Sequence, residues 1–274
     1  MPSVRDADCV AFLQWALPQL ERRWEGYRKV HGLVCKRLRR RLHELALANL
    51  DAYRDHLRDY REEWAHLDAS CAIPISRFNR DRGVFDALEH AVLPALAEAA
   101  ATQSRTRLAC WSAGCASGEE PYSLAILWTV RLQSRFPRIS LHIVASDSDA
   151  HMLARAHAGR YTAGSLKELP ADLRSAGFDQ TDSEWRVRDR FRTVQFLQQD
   201  LRAVMPAGPF DLVLCRNVVL TYYAPTLALA ALNRIADRLR PGGAFIIGLH
   251  EQVPRGLARF APWPGTRGTY QRSA

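Results

Sequence analysis

The chain has 274 residues, 47% of them hydrophobic, which is enough to bury a core in one large domain or in a core domain with a smaller partner. Its net charge of +9 favours contact with acidic surfaces without identifying a partner. The sequence contains no apolar run of membrane-spanning length, no signal-peptide pattern, no CxxC pair and no Cys/His metal spacing. These absences argue against an integral membrane segment, secretion and a metal site. We therefore expect a cytoplasmic protein whose six cysteines are reduced thiols: Cys9, Cys35, Cys71, Cys110, Cys115 and Cys215.

Residues 1–70 are predicted to form a small all-α domain, because apolar residues recur at helical intervals with few glycines. Within it, the stretch from Lys36 to Arg41 places five cations in six positions, and Leu38 and Leu42 share one helix face. Such a charged face is usually only solvated. The functional alternatives are a docking surface for an acidic protein or the entrance wall of a site. Nucleic acid is a weaker choice, since no groove-binding or aromatic-interleaved motif accompanies the charges.

The stretch 68–74 (DASCAIP) has the composition of a linker, and residues 71–274 are predicted to form the second domain. Apolar residues three and four apart over 85–99 predict a helix ahead of the first strand.

The most informative stretch follows, where a strand over about 108–111 gives way to small residues and then to a helix over about 120–132. Gly114 and Gly118 let the backbone turn and approach a ligand, at the position where open α/β sheets bind nucleotides. The loop lacks the Lys-Ser/Thr of a P-loop and the three-glycine dinucleotide spacing, and Glu119 and Glu120 would repel a phosphate. A ligand that carries positive charge fits better.

A second strand is predicted over 141–145, closing on Asp147. The two oxygens of such an acid can accept hydrogen bonds from both hydroxyls of a ribose. The alternative is that Asp147 caps the helix 150–158, a role that Asp149 fills at least as well.

The remaining elements complete an α/β pattern. A short strand starts at about residue 196 and precedes Asp200 and Leu201, and a largely apolar strand from Phe210 ends at Arg216 and Asn217. A helix over 225–239, a turn at 240–243 and a closing hairpin from 244–248 follow, and the stretch 185–192 alternates like a hairpin arm.

Four motifs in this order resemble the CheR-type chemotaxis receptor methyltransferase family: RFNRD at 77–81, WSAGCASGEEPYSLAI at 111–126, ASDSD at 145–149 and LCRNV at 214–218. The resemblance covers roughly the whole chain. That family transfers methyl from S-adenosylmethionine to glutamate side chains. The resemblance implies a Rossmann-like class I methyltransferase sheet, mostly parallel with an antiparallel last hairpin, behind a small N-terminal all-α domain. Some relatives carry an inserted β-subdomain that grips a tethering peptide of the receptor; the sequence leaves its presence open.

The resemblance implies S-adenosylmethionine as cofactor, S-adenosylhomocysteine as product and no metal. In the family, the position of Asp200 contacts the adenine amino group. The candidate cofactor-binding residues are Ser76, Arg80, Ala113, Gly114, Glu119, Asp147, Asp200, Leu201, Arg216 and Asn217.

The candidate catalytic residues are Arg80, Tyr222 and Tyr223, of which Arg80 and one tyrosine would orient the acceptor. The commoner family string is CRNVxIYF, so Thr221 occupies the tyrosine position here, and the family's GHSE is Gly248 to Glu251 with a changed centre. Because these departures surround the acceptor, the sequence supports the methyl donor better than the methyl acceptor.

Three functions fit the sequence. The first is a protein-glutamate O-methyltransferase that acts on an acidic protein such as the cytoplasmic domain of a receptor; a carboxylate is already ionised and needs no base. The second is a methyltransferase of the same fold with a small-molecule or other protein acceptor, for which His250 or Glu251 is a candidate base. The third is a regulatory module that binds the cofactor.

Overall fold

The computed structural model describes residues 4–273, which divide into two compact units. The first unit contains residues 4–73 together with Thr221–Ala228, and the second contains Pro74–Leu220 and residues 229–273. The domain bounds expected from the sequence, 1–70 and 71–274, differ from this division chiefly in the segment Thr221–Ala228.

The first unit is helical, with α1 (Asp6–Gln19), α2 (His31–Glu44), α3 (Leu50–Asp59) and α4 (Glu63–Ser70). Helix α2 buries Leu38 and Leu42, as its spacing predicts, and leaves charged residues outside. Helix α3 begins where the side chain of Asn49 accepts a hydrogen bond from the amide of Ala52 at 2.9 Å.

The expectation that all six cysteines are reduced is wrong for one pair. Cys9 of α1 and Cys35 of α2 are joined by a disulfide, with their Cα atoms 6.0 Å apart. Both lie on the buried faces of their helices, and packing of these faces brings them together. The other four cysteines are free and buried, which agrees with small core residues.

The second unit contains the remaining helices. Residues 82–102 are helical throughout, with a π-helical section Leu88–Val92 in the middle, and a second π-helical section Trp128–Leu132 extends the helix Glu119–Leu127. The helix Ala150–Ala158 has the predicted bounds. The helices are α5 (Arg82–Ala87), α6 (Leu93–Thr102), α7 (Glu119–Leu127), α8 (Ala150–Ala158), α9 (Ala171–Gly177), α10 (Val219–Tyr222) and α11 (Pro225–Arg238), of which α10 and α11 also contribute to the first unit.

The strands form one seven-stranded and one three-stranded sheet. They are β1 (Arg107–Ala113), β2 (Ser140–Asp147), β3 (Arg160–Tyr161), β4 (Phe178–Gln180), β5 (Trp185–Val187), β6 (Gln195–Gln198), β7 (Phe210–Leu214), β8 (Leu239–Ile246), β9 (Phe260–Pro262) and β10 (Thr269–Arg272). The large sheet has the order β6-β2-β1-β7-β8-β10-β9. Its first five strands pair in parallel and β10 is antiparallel to both neighbours. The predicted α/β fold with an antiparallel last hairpin is confirmed.

Two local features differ from, or add to, the sequence expectations. The turn predicted at 240–243 is wrong: these residues form an irregular section inside β8, where the pairing with β7 shifts register and Gly242 has a φ of +78°. Residues between α8 and β6 form a second, small antiparallel sheet of order β3-β5-β4. Among the helices of residues 4–273, none is long and apolar enough to cross a membrane.

Candidate active site

The carboxyl ends of four neighbouring strands bring several of the predicted site residues to one edge of the sheet. Ala113 at the end of β1 pairs with Ser146 of β2, and Asp147 pairs with Gln198 at the end of β6. On the other side of β1, Ser112 pairs with Leu214, the last residue of β7. This edge of an open parallel sheet is where such folds bind ligands.

The loop after β1 is a tight turn, as its glycines predict. Gly114 and Gly118 have φ values of +75° and +90°, which favour glycine. A Cβ on Gly114 would lie 2.6 Å from a methyl carbon of Val218, and one on Gly118 would lie 2.9 Å from the Cβ of Ala156. The amides of Gly114 and Cys115 both donate to the carbonyl of Ser146, at 2.8 and 3.0 Å. The loop is therefore fixed against the end of β2.

Asp147 is held beside this loop by two backbone amides. Its Oδ2 accepts from the amide of Ala116 at 2.8 Å and its Oδ1 from the amide of Asp149 at 2.9 Å. Burial raises the pKa of Asp147 and outweighs these two hydrogen bonds, which lower it. Each oxygen keeps capacity for a further donor, so the carboxylate can accept two ribose hydroxyls. The cap of α8 is Asp149, whose Oδ1 accepts from the amides of His151 and Met152.

The two acids after the loop have different surroundings. The Glu119 residue is 2% exposed, and both its carboxylate oxygens accept a hydrogen bond from the hydroxyl of Ser117, at 3.0 and 2.9 Å. Within residues 4–273, no Lys, Arg or His side chain forms an ion pair with Glu119. Glu120 accepts from the hydroxyl of Ser112 at 2.7 Å and from Arg216 at 3.1 Å. A buried carboxylate without a basic partner favours a ligand with positive charge at this place.

Arg216, predicted as a cofactor residue, is engaged by the protein itself. Its side chain is 4% exposed, and its Nη1 donates to Glu120 while its Nη2 donates to the Asp81 carboxylate at 2.7 Å and to the Arg80 carbonyl at 2.6 Å. The guanidinium therefore ties the end of β7 to the start of α7 and to the segment before α5.

Arg80 and Ser76 lie on the segment that precedes α5. The guanidinium of Arg80 is half-buried and donates to the carbonyl of Ile75 at 2.7 Å. Its neighbours Asn79 and Asp81 both have positive φ values, +54° and +62°, so the segment turns sharply at Arg80. Ser76 is half-buried on the same segment.

Three further candidates lie beyond the ends of β6 and β7. The Asp200 carboxylate pairs with Arg202 at 2.6 Å, and the carbonyl of the buried Leu201 accepts from Arg234 at 3.2 Å. Asn217 has a φ of +56°, and its amide donates to Glu251 at 2.9 Å.

Sequence reasoning missed the residues that support the loop. The Tyr161 hydroxyl from β3 donates to the Ser117 carbonyl at 2.6 Å. Glu251, proposed only as an alternative base, also accepts from the amide of Gly248 at 2.7 Å and so links the chain after β7 to the chain after β8. The resemblance of Gly248 to Glu251 to the family's GHSE was the available signal for Glu251.

The two candidate catalytic tyrosines belong to the first unit. The Tyr222 ring lies 5.0 Å from the Tyr27 ring, centroid to centroid, and Tyr223 is 6% exposed and forms a β-bridge with Arg22. Their part in catalysis stays a prediction.

A separate cavity of about 560 Å³ lies at the opposite, amino edge of the strands. It is lined in part by Asp211, which is buried and pairs with Arg105 at 2.7 Å and with Arg240 at 3.3 Å. Asp211 also accepts from the amide of Ala109 at 2.8 Å, so this cluster holds the amino ends of β1 and β7 together.

The strand order, the acid-flanked glycine loop after β1 and the acid that closes β2 define the class of an S-adenosylmethionine-dependent methyltransferase domain. The family model for the S-adenosylmethionine-binding domain of CheR methyltransferases matches residues 75–268. The chain belongs to this CheR methyltransferase family, which confirms both the predicted family and the predicted cofactor.

Curated relatives carry chemotaxis names. The chemotaxis protein methyltransferase of Listeria monocytogenes is 36% identical over 182 residues, which cover 66% of each chain. The chain thus spans slightly less than two thirds of that relative. The probable chemotaxis protein methyltransferase of Rhizobium etli is 32% identical over 81% of this chain and 84% of its own length. Chemotaxis protein methyltransferase 2 of Pseudomonas aeruginosa is 34% identical over 80% and 78%.

Proposed function

We propose that this protein transfers the methyl group of S-adenosylmethionine to glutamate side chains of an acidic protein, such as the cytoplasmic domain of a chemoreceptor. The family membership and the chemotaxis names of the relatives support this reaction. The observation that carries the cofactor half of this proposal is the hydrogen bond of 2.8 Å between the Ala116 amide and Asp147, which joins the glycine loop to the acid that closes β2. This arrangement places a carboxylate that can accept ribose hydroxyls beside a loop whose backbone a ligand can approach closely.

The residues present fit the cofactor. Asp147 would accept the ribose hydroxyls, and the loop from Gly114 to Gly118 carries only small side chains, which would allow a ligand to approach its backbone. Glu119, buried and without a basic partner in the part of the chain described, would stabilise positive charge nearby. Asp200 and Leu201 remain candidates for the adenine. When bound, the cofactor supplies a methyl group that its sulfonium has already activated.

The protein then has to align a nucleophile rather than generate one. A glutamate carboxylate is ionised at neutral pH, so transfer by in-line displacement needs orientation and no general base. The Arg80 fork suits the distal oxygen of that carboxylate, and Tyr222 or Tyr223 would help to orient it. Placing Arg80 on the distal oxygen leaves the proximal oxygen free to attack.

The proposed acidic partner is supported by the charge of the first unit. Lys36, Arg39 and Arg40 are exposed on α2, while Arg37 and Arg41 are partly buried in contacts within the unit. The exposed cations would favour an acidic protein. A receptor substrate of this kind would place the reaction in the cytoplasm.

The test combines calorimetry with a transfer assay. We expect S-adenosylhomocysteine to bind the purified chain, and radiolabelled S-adenosylmethionine to label a protein in chemoreceptor-containing membranes. Treatment with base should release the label as methanol, because a carboxyl ester is base-labile. A base-stable label would indicate another nucleophile. Cofactor binding without any labelled protein would contradict a protein acceptor in these membranes and favour a small-molecule acceptor or a regulatory module. Absence of cofactor binding would exclude all three functions.

A further inference from the structure

The segment Thr221–Ala228 is fastened to the loop between α1 and α2 by backbone hydrogen bonds. The amide of Arg23 donates to the carbonyl of Tyr222 at 2.9 Å, and the amide of Ala224 donates to the carbonyl of Glu21 at 2.8 Å. Between them, Arg22 and Tyr223 form a β-bridge. Residues 21–27, which we name the clamp loop, thus bind consecutive residues of a segment almost 200 positions away in sequence.

Side chains of the clamp loop add to this hold. The Arg23 Nε donates to the carbonyl of Thr221 at 3.1 Å, and the Tyr27 ring packs on Tyr222. Tyr27 is fully buried; its hydroxyl donates to the Cys71 carbonyl at 3.1 Å and accepts from Arg22 at 3.0 Å. The clamp loop is therefore anchored in the core of its own unit while it contacts the segment.

The contact between the clamp loop and the segment is so close at Gly26 that it leaves no room for a side chain. A Cβ there would lie 2.2 Å from the Thr221 carbonyl oxygen and 3.0 Å from a ring carbon of Tyr222. Gly26 does not have a positive φ, so its backbone conformation does not require glycine. The close approach of the segment is what requires it.

We propose that the clamp loop positions Thr221–Tyr223 for methyl transfer, with Gly26 and Arg23 acting as positioning residues through the two tyrosines. This inference rests on the proposed function, in which Tyr222 or Tyr223 orients the acceptor. The segment begins four positions after Asn217 at the polar end of β7. Its backbone hydrogen bonds to the clamp loop hold the chain that carries both tyrosines.

The test compares Gly26→Ala with Gly32→Ala in the full chain. Gly32 lies on α2 of the same unit with nothing within 4 Å of an added Cβ, so it controls for the chemical change. We expect Gly26→Ala to lower kcat at least tenfold with receptor-containing membranes, while the Kd for S-adenosylhomocysteine stays within about twofold of the original protein. We also expect faster hydrogen exchange over 221–228. Gly32→Ala should match the original protein in all three measurements.

Several outcomes would overturn the inference. One is a kcat of Gly26→Ala within twofold of Gly32→Ala, and another is unchanged exchange over 221–228. If Gly26→Ala does not fold, Arg23→Met is the second variant. It removes the side-chain hydrogen bond to Thr221 together with the charge and should still lower kcat severalfold; an unchanged kcat refutes the clamp. Failure of the proposed function would look different, because the original protein would then transfer no methyl group. The comparison of hydrogen exchange over 221–228 would still show whether the clamp loop holds the segment.

Discussion

Replacement of Arg216 by methionine tests the role of the buried guanidinium. The side chain is 4% exposed and satisfies two carboxylates, Glu120 at 14% and Asp81 at 28% side-chain exposure, besides one carbonyl. Each hydrogen bond to a charged group contributes about 1.5–3 kcal/mol. Asp81 is partly hydrated and can recover some solvation, so we expect a total loss of about 3–5 kcal/mol, the range for breaking a buried ion pair.

The assay is urea denaturation, with hydrogen exchange of β1 and β7 to locate the loss in the second unit. Arg131→Met is the matched control: Arg131 pairs with Asp172 at 2.6 Å, but these side chains are 39% and 53% exposed, so we expect a loss of about 0–1 kcal/mol. Arg216→Lys keeps the charge without the planar fork and should lose about 2 kcal/mol. If Arg216→Met loses no more free energy of unfolding than Arg131→Met, the assignment of Arg216 as the link between three chain segments is refuted.

Three further predictions concern single residues. Asp147→Asn should weaken S-adenosylhomocysteine binding about tenfold or more in calorimetry; in the original protein the affinity should fall with decreasing pH from above the usual aspartate range, because burial raises the pKa of Asp147. Glu63→Gln should lower the free energy of unfolding by about 3 kcal/mol in denaturation. Burial opposes ionisation of Glu63, but hydrogen bonds led by Arg41 lower its pKa, so this stabilisation should be present above pH 5 and lost as pH falls through the lowered pKa. Gly118→Ala should lower the free energy of unfolding by about 1–3 kcal/mol more than Gly256→Ala. The two glycines have nearly equal φ values, +90° and +88°, but an added Cβ would meet close neighbours at Gly118 and none at Gly256. Equal urea midpoints for the two variants would contradict this.

Local signals in the sequence predicted several helices and strands and the strand edge that carries the candidate site. The helix over 150–158 was predicted with its bounds because its cap, Asp149, and its final Gly159 are adjacent to it in sequence. The turn at Gly114 and Gly118 followed from residues that tolerate positive φ.

The errors and omissions concern contacts between distant residues. The Cys9–Cys35 disulfide depends on which faces of two helices meet, which spacing alone does not reveal. The sequence did not reveal the ion pairs of Arg216, because its partners Glu120 and Asp81 lie 96 and 135 positions away; its contact with the cofactor stays a prediction. The section 240–243 contains two glycines typical of turns, yet Leu239 and Ala244 on either side of it both pair with β7, so it lies inside a strand. At this section, strand pairing overrode the local preference.

The segment Thr221–Ala228 belongs to the helical unit, which restricts how fragments and chimeras of this protein can be designed. A fragment that ends at residue 73 would lack this segment, and a fragment that starts at residue 74 would carry it without Glu21 and Arg23 to bind it. Chimeras between relatives should therefore exchange the N-terminal stretch and Thr221–Ala228 together, because the first unit is encoded by two separate stretches of the gene.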